Sequence, residues 1–226
     1  MARPAIELGE TFGFRALSFC GVGGAESHWL CLTPPDVCFM EAFLVSTGLV
    51  AIAEIGDKTQ LLAILLAARF RKPVPILLGI LVATIGNHAL AAAVGSVAGA
   101  FFDGPWMKWV LGLAFIAFAG WALIPDKFED KDAPRDRAGA SIFWTTLVAF
   151  FFVEMGDKTQ VATVALGARF HDVVLVSLGT TLGMMLANTP AVFLGDVAAT
   201  RLPLKAIRIA AAASFAGIGL WILIWG

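Results

Sequence analysis

Cysteine is missing from residues 40 to 226 of this chain: Cys20, Cys31 and Cys38 all lie ahead of them. Three cysteines cannot all pair within one chain, their spacings match no zinc pattern, and the rest of the protein has no thiolate to offer a soft metal. Charge is scarce as well. Charged residues make up 15% of the sequence against 59% hydrophobic, and the mean hydropathy is +0.84, far more apolar than a soluble domain of this length needs. Nor does one sign dominate. A net charge of −1 supplies neither a basic excess for nucleic acid nor an acidic tail. Residues 1–39 hold no apolar run long enough to span a bilayer, and Ala16 to Ala25, preceded by Arg15, is too weak and glycine-rich for a convincing signal-peptide core. They are expected to be a poorly ordered leader, with Met40 as an alternative start.

What is present is a series of long apolar runs. A transmembrane helix needs roughly 20 residues, and runs of that order occur at about 42–68, 74–98, 106–124, 141–167, 173–197 and 204–225. The expected fold class is therefore an all-α integral membrane protein with six transmembrane helices. Between the third and fourth runs, residues 126–140 form a hydrophilic linker of mixed charge that cannot lie in lipid. It separates a first three-helix repeat, 40–125, from a second, 141–226. Trp106, Trp109, Trp121, Trp144, Trp221 and Trp225 fall near the expected helix ends, as an interfacial aromatic belt requires.

The two halves are copies in a register of 100 residues. Phe43 corresponds to Phe143, Glu54 to Glu154, Arg69-Phe70 to Arg169-Phe170, Gly79 to Gly179, Gly95 to Gly195, Phe115 to Phe215 and Trp121 to Trp221, without a gap. Matches spread over three helices of each half indicate internal duplication. With three spans per half, the second copy enters the membrane from the opposite side, so the repeat is inverted, as in many secondary transporters. Lys and Arg distribute accordingly. Ten fall in the loops after spans one, three and five: Arg69, Arg71, Lys72; Lys127, Lys131, Arg135, Arg137; and Arg201, Lys205, Arg208. The other loops carry only Lys108 and, at a helix edge, Arg169. The positive-inside rule then places both termini outside the cytoplasm.

Six of the few charges are placed within the apolar runs, in the paired stretches Ala53-Glu54-Ile55-Gly56-Asp57-Lys58-Thr59-Gln60 and Val153-Glu154-Met155-Gly156-Asp157-Lys158-Thr159-Gln160. On a continuous helix, Glu54, Asp57 and Lys58 share one face, as do Glu154, Asp157 and Lys158. A charge at the bilayer centre costs roughly 2.5 kcal/mol or more, so these residues mark an ion site rather than packing. Glu54, Asp57, Glu154 and Asp157 offer carboxylate oxygens; Thr59, Thr159, Gln60 and Gln160 offer neutral ones. Hard oxygen donors suit calcium, manganese and magnesium, and a largely dehydrated cage favours the first two, because magnesium holds its water tightly. Four carboxylates and two lysines sum to −2, which one divalent cation neutralises; an empty site becomes neutral by taking two protons instead. Competition of one metal ion and about two protons for the same oxygens, between inverted halves, is cation/proton antiport.

Twin Glu-x-Gly-Asp-Lys-Thr motifs, one in the first helix of each of two three-helix halves with a charged loop between, resemble the calcium/manganese:proton antiporter family of Golgi, chloroplast and bacterial members. The resemblance covers residues 40–226. It implies export of Mn²⁺ or Ca²⁺ from the cytosol in exchange for protons, across a bacterial inner membrane, with Glu54, Asp57, Glu154 and Asp157 as the cation site. The cation is cargo, and no resident cofactor is implied. Cation, protons and lipid are the expected partners, and two halves in one chain suggest that a monomer suffices, with a dimer as the alternative.

Other residues carry secondary readings. Glu54–Lys58 and Glu154–Lys158 are i,i+4 pairs that can act as salt bridges, with the lysines either tuning the carboxylates or snorkelling. Gly56 and Gly156 are read as points of close backbone approach, with local loosening of the helix as the alternative. His88 corresponds to Asn188. Both can reach the cation or relay protons, and an imidazole leans the site toward manganese, but the expectation for His88 is a histidine hydrogen-bonded to a neighbouring helix. Pro190 is expected to kink the fifth span and free a carbonyl near residue 186. Gly79-x-x-x-Ala83 and Gly179-x-x-x-Gly183 read as helix contact surfaces. Two rival classes remain. A proton-coupled exporter of a small organic solute such as an amino acid needs only one acidic cluster, and a membrane-embedded metal-dependent enzyme needs more basic residues beside its acids than Lys58 and Lys158.

Overall fold

The computed structural model describes residues 35–101, 104–124, 141–194 and 204–225. Among these residues all regular structure is helical: α1 (Pro35–Glu54), α2 (Lys58–Phe70), α3 (Pro73–Phe101), α4 (Met107–Ala122), α5 (Ile142–Glu154), α6 (Lys158–Phe170), α7 (Val173–Leu194) and α8 (Leu204–Trp225). Residues 1–34, the whole linker 126–140, Gly195 and Arg201 lie outside the described residues, so the expectations placed on them do not bear on this fold. Helix α1 begins at Pro35, five residues ahead of Met40, and so takes in the end of the expected leader. Proline suits a first helical position, where its missing N–H leaves no bond unmade.

By length and composition α3, α7 and α8 can cross a membrane, while α4 and α5 are shorter apolar helices. Large apolar side chains such as Leu90, Val94, Phe101, Trp144, Phe152 and Phe193 face outward, as a lipid-bathed surface requires. The chain is a membrane protein, all-helical among the described residues.

Two expected spans differ from the structure. The runs at 42–68 and 141–167 are each divided into two helices, at the acidic motifs. Conversely, α7 runs on through Pro190 from Val173 to Leu194. The chain is thus interrupted at glycine within the motifs and not at the proline.

Packing follows the 100-residue register. Helix α1 lies against α7 and α5 against α3; α2 meets α7 and α6 meets α3; α3 pairs with α7 and α4 with α8. A methyl group added at Gly79 would meet Thr146 Cβ at 2.8 Å and the Phe143 carbonyl at 2.9 Å; at Gly179 it would meet the Phe43 carbonyl at 2.7 Å and Ser46 Cβ at 3.0 Å. Each glycine lets its helix approach the first or fourth expected span at the equivalent place. Phe115 and Phe215, register partners on α4 and α8, have ring centroids 6.3 Å apart, and Phe118 completes the cluster. Helices α3 and α7 pack against each other, and the start of α2 is joined to the α5–α6 break by the Lys58–Asp157 bridge.

A buried acidic cluster at two helix breaks

The helix breaks follow from local chemistry. In Glu154-Met155-Gly156-Asp157, Met155 has φ −65° and ψ 117° and Gly156 has φ +82°, while the Asp157 N–H donates to the Glu154 carbonyl at 3.1 Å. Those are the angles and bond of a type II β-turn, whose third residue needs positive φ and hence glycine. The first copy repeats it: Gly56 has φ +85° and the Asp57 N–H donates to the Glu54 carbonyl at 3.1 Å. No atom lies within 4 Å of a methyl group built on Gly156. The glycine there serves backbone conformation, correcting the close-approach reading in favour of a loosened helix.

Glutamine and threonine stabilise the break. The Gly56 N–H donates to Gln60 Oε1 at 2.9 Å, and the Gly156 N–H to Gln160 Oε1 at 2.6 Å. This resembles a capping box, with the third residue of the new helix reaching back to an otherwise unpaired backbone donor. Thr59 Oγ1 donates to Glu54 Oε2, and Thr159 Oγ1 to Glu154 Oε1, both at 2.5 Å. Asp57 and Asp157 stand at the N-cap positions of α2 and α6, yet neither side chain caps its helix.

These breaks bring Glu54, Glu154 and Asp157 together. One carboxylate oxygen from each lies within 4.8 Å of the others, and the residues are 0%, 1% and 3% exposed. Glu54 Oε1, Glu154 Oε2 and Asp157 Oδ2 have no hydrogen-bond partner. Lys58 Nζ sits 3.1 Å from Asp157 Oδ1, so three carboxylates and one ammonium leave a formal −2. Such a group is costly to bury unless a cation or protons neutralise it.

The remaining expected site residues are distributed unequally. Asp57 is buried but outside that cluster. It lines a cavity, together with Ile55, Phe118, Lys158, Arg208 and Phe215, beside the α1–α2 break. Lys158 Nζ donates to the Ile124 carbonyl at 2.9 Å. The i,i+4 pairing open to Glu54 and Lys58 is replaced by a bridge from Lys58 to Asp157 of the other motif, because the turn ends the helical register that would have joined them. Gln60 Nε2 donates to the Ala187 carbonyl at 3.1 Å. His88 is fully buried, with Nε2 3.6 Å from Glu154 Oε1 and neither ring nitrogen hydrogen-bonded. That distance exceeds a hydrogen bond, so the expected bond to a neighbouring helix is absent. Asn188 turns its amide onto its own helix, donating to the Met184 carbonyl at 3.1 Å.

Sequence reasoning missed two features. Asn87 is buried and donates to the Phe151 carbonyl at 3.0 Å; a second polar residue beside His88 in an apolar run was the available signal. Arg169, placed at a helix edge, is only 6% exposed and acts electrostatically on Glu41. A lone acid at the start of one apolar run and a lone base at the end of another would have suggested that pairing.

A helical membrane protein whose interior gathers acids from two broken helices belongs functionally with ion-handling proteins, since intramembrane carboxylates mark ion or proton pathways. Comparison with known proteins gives the family. The sequence profile described as divalent cation/proton antiporter GDT1 matches residues 42–130 and 142–226. The chain belongs to this family of divalent cation/proton antiporters, and is a transporter rather than an enzyme. It is 48% identical over 182 residues to a Vibrio cholerae protein named "Putative manganese exporter", covering 80% of this chain and 90% of that protein. It is 26% identical over 217 residues to GDT1-like protein 5 of Arabidopsis thaliana, covering 80% and 94% respectively. No solved structure matches.

Proposed function

We propose that this protein exports Mn²⁺ from the cytosol in exchange for protons, binding the cation between Glu54, Glu154 and Asp157. The observation that carries this reading is the convergence of acids from both motifs within 4.8 Å, buried, with an oxygen of each lacking a hydrogen-bond partner. Oxygen donors favour a hard or borderline divalent ion, and a local formal charge of −2 matches one such ion. Asp57 belongs to the same site as the register partner of Asp157 and exchanges places with it during transport. Thr59 and Thr159 orient the glutamates, Gln60 and Gln160 hold the breaks open, and Lys58 and Lys158 are the countercharges, each serving the acid of the opposite motif.

The architecture that suits this cycle is six spans in two inverted three-helix repeats, 40–125 and 141–226, joined by a charged cytoplasmic linker. The broken spans α1–α2 and α5–α6 approach the midplane from opposite sides, as discontinuous helices do in inverted-repeat transporters. The Lys and Arg distribution supports both termini lying outside the cytoplasm, and the bacterial relative supports an inner-membrane location. One chain holds both motifs, so a monomer suffices.

Proteoliposomes loaded with a pH dye test the reading. Mn²⁺ uptake is expected to release protons to the opposite side, to collapse when the proton gradient is dissipated, and to be lost in Glu54→Gln and in Glu154→Gln alike. Flux that persists in either variant, or that moves no protons, overturns it.

A further inference from the structure

The imidazole of His88 is fully buried on α3, the helix against which both α5 and α6 pack. Neither of its nitrogens has a hydrogen-bond partner. Leaving a buried polar group unpaired costs about 1–3 kcal/mol, which an apolar residue at this position would avoid. The nearest charged atom is Glu154 Oε1, 3.6 Å from Nε2. That is too long for a hydrogen bond but falls within the roughly 3–4.5 Å that separates two ligands of one divalent ion.

We propose that His88 contributes a nitrogen ligand to the transported cation beside Glu154 and thereby selects manganese over calcium and magnesium. The inference rests on the acidic cluster being the cation site and goes beyond it by assigning the discrimination to one residue. Three carboxylates alone do little to separate manganese from calcium, since all are hard oxygen donors; imidazole binds transition metals and is a poor ligand for calcium and magnesium. The duplication sharpens the argument. Asn188, the register partner, directs its amide to the Met184 carbonyl at 3.1 Å and to the Met184 sulfur at 3.0 Å. The site thus has a nitrogen donor from one repeat and none from the other, so selectivity resides in α3.

Pulsed electron paramagnetic resonance on the full-length protein loaded with Mn²⁺ in detergent reads the ligand directly. The wild type is expected to show nitrogen modulation from a coordinated imidazole, and His88→Asn to lose it while still holding Mn²⁺. In proteoliposomes that variant is expected to lose Mn²⁺ flux about tenfold and to keep Ca²⁺ flux within about twofold. His88→Gln replaces it should the asparagine variant fail to fold. Nitrogen modulation that is absent from the Mn²⁺-loaded wild type or that survives the substitution overturns the proposal. So does an equal loss of flux for both cations. Failure of the acidic site gives a different result: Glu54→Gln and Glu154→Gln would then leave Mn²⁺ binding intact whatever His88 does.

Discussion

The two copies of the motif share their local fold and differ in what surrounds them. Residues 53–60 and 153–160 both make the glycine turn, the threonine–glutamate bond and the glutamine brace on the glycine N–H. Beyond that they part. Asp157 joins the acidic cluster and holds Lys58, whereas Asp57 lines the cavity that Lys158 and Arg208 also line. At the far ends of the same helices Arg169 is buried near Glu41, while Arg69, its register partner, is exposed and lies over the Phe70 ring at 5.5 Å; Ser141, the counterpart of Glu41, caps α5. Local sequence therefore dictates how each span breaks. Which aspartate faces the cluster is decided by how the two halves sit against each other; under the transport cycle proposed above, an exchange of those environments would supply the two states that alternating access requires.

The largest effect is expected at the glutamates, the acids that both copies bring into the cluster. Glu54→Gln and Glu154→Gln are each expected to lower Mn²⁺ flux by about two orders of magnitude, as loss of a charged ligand implies. A silent variant on either side would mean that the cluster is not shared. The aspartates come next. Asp157→Asn is expected to weaken Mn²⁺ binding about tenfold and Asp57→Asn about twofold, since only the first lies in the cluster; calorimetric titration of purified protein separates them. Equal losses would show that the state described here is not the one that holds the ion.

Smaller effects sharpen the picture. Lys58→Ala strands Asp157 in the interior and is expected to cost about 1–2 kcal/mol, less than the 3–5 of a fully buried pair because the lysine side chain is 22% exposed. Lys158→Ala removes the hydrogen bond to the Ile124 carbonyl and the countercharge proposed for Asp57, and is expected to cost a similar amount. Thermal unfolding in detergent measures both, and a silent variant would remove that lysine as a countercharge. A similarly small effect is expected for Gly156→Ala. With open space around the added methyl group, only the positive φ is penalised, at about 1 kcal/mol. Gly120→Ala has equally open space within a helix and is expected to be neutral or stabilising. Equal melting temperatures for these two would remove the turn from the argument.

Much of this was legible without a structure. The register of 100 marked Gly79 and Gly179 as matched helix contact surfaces, and the structure supplies their partners, Phe143 and Phe43. The cost of charge in lipid singled out Glu54, Asp57, Glu154 and Asp157, of which the structure gathers all but Asp57. What misled was helical periodicity: an unbroken apolar run implies an unbroken helix, and one glycine in each motif was the only sign of a turn. Once the turn forms, Asp57 and Lys58 no longer share a face with Glu54, and no i,i+4 rule describes them. His88 was misjudged for a related reason. Sequence shows a polar residue in a span but not whether a backbone carbonyl lies within its reach.

An apolar, duplicated, helical chain with acids at matched positions could be read from the residues alone, because composition, spacing and the energetics of charge in hydrocarbon act locally and along the chain. Helix packing was needed to show that Lys58 bridges to the opposite motif, that Asp157 rather than Asp57 completes the cluster, and that His88 stands 3.6 Å from Glu154. These are relations between helices distant in sequence. They are fixed by how closely glycine-lined helices approach, which no single segment encodes.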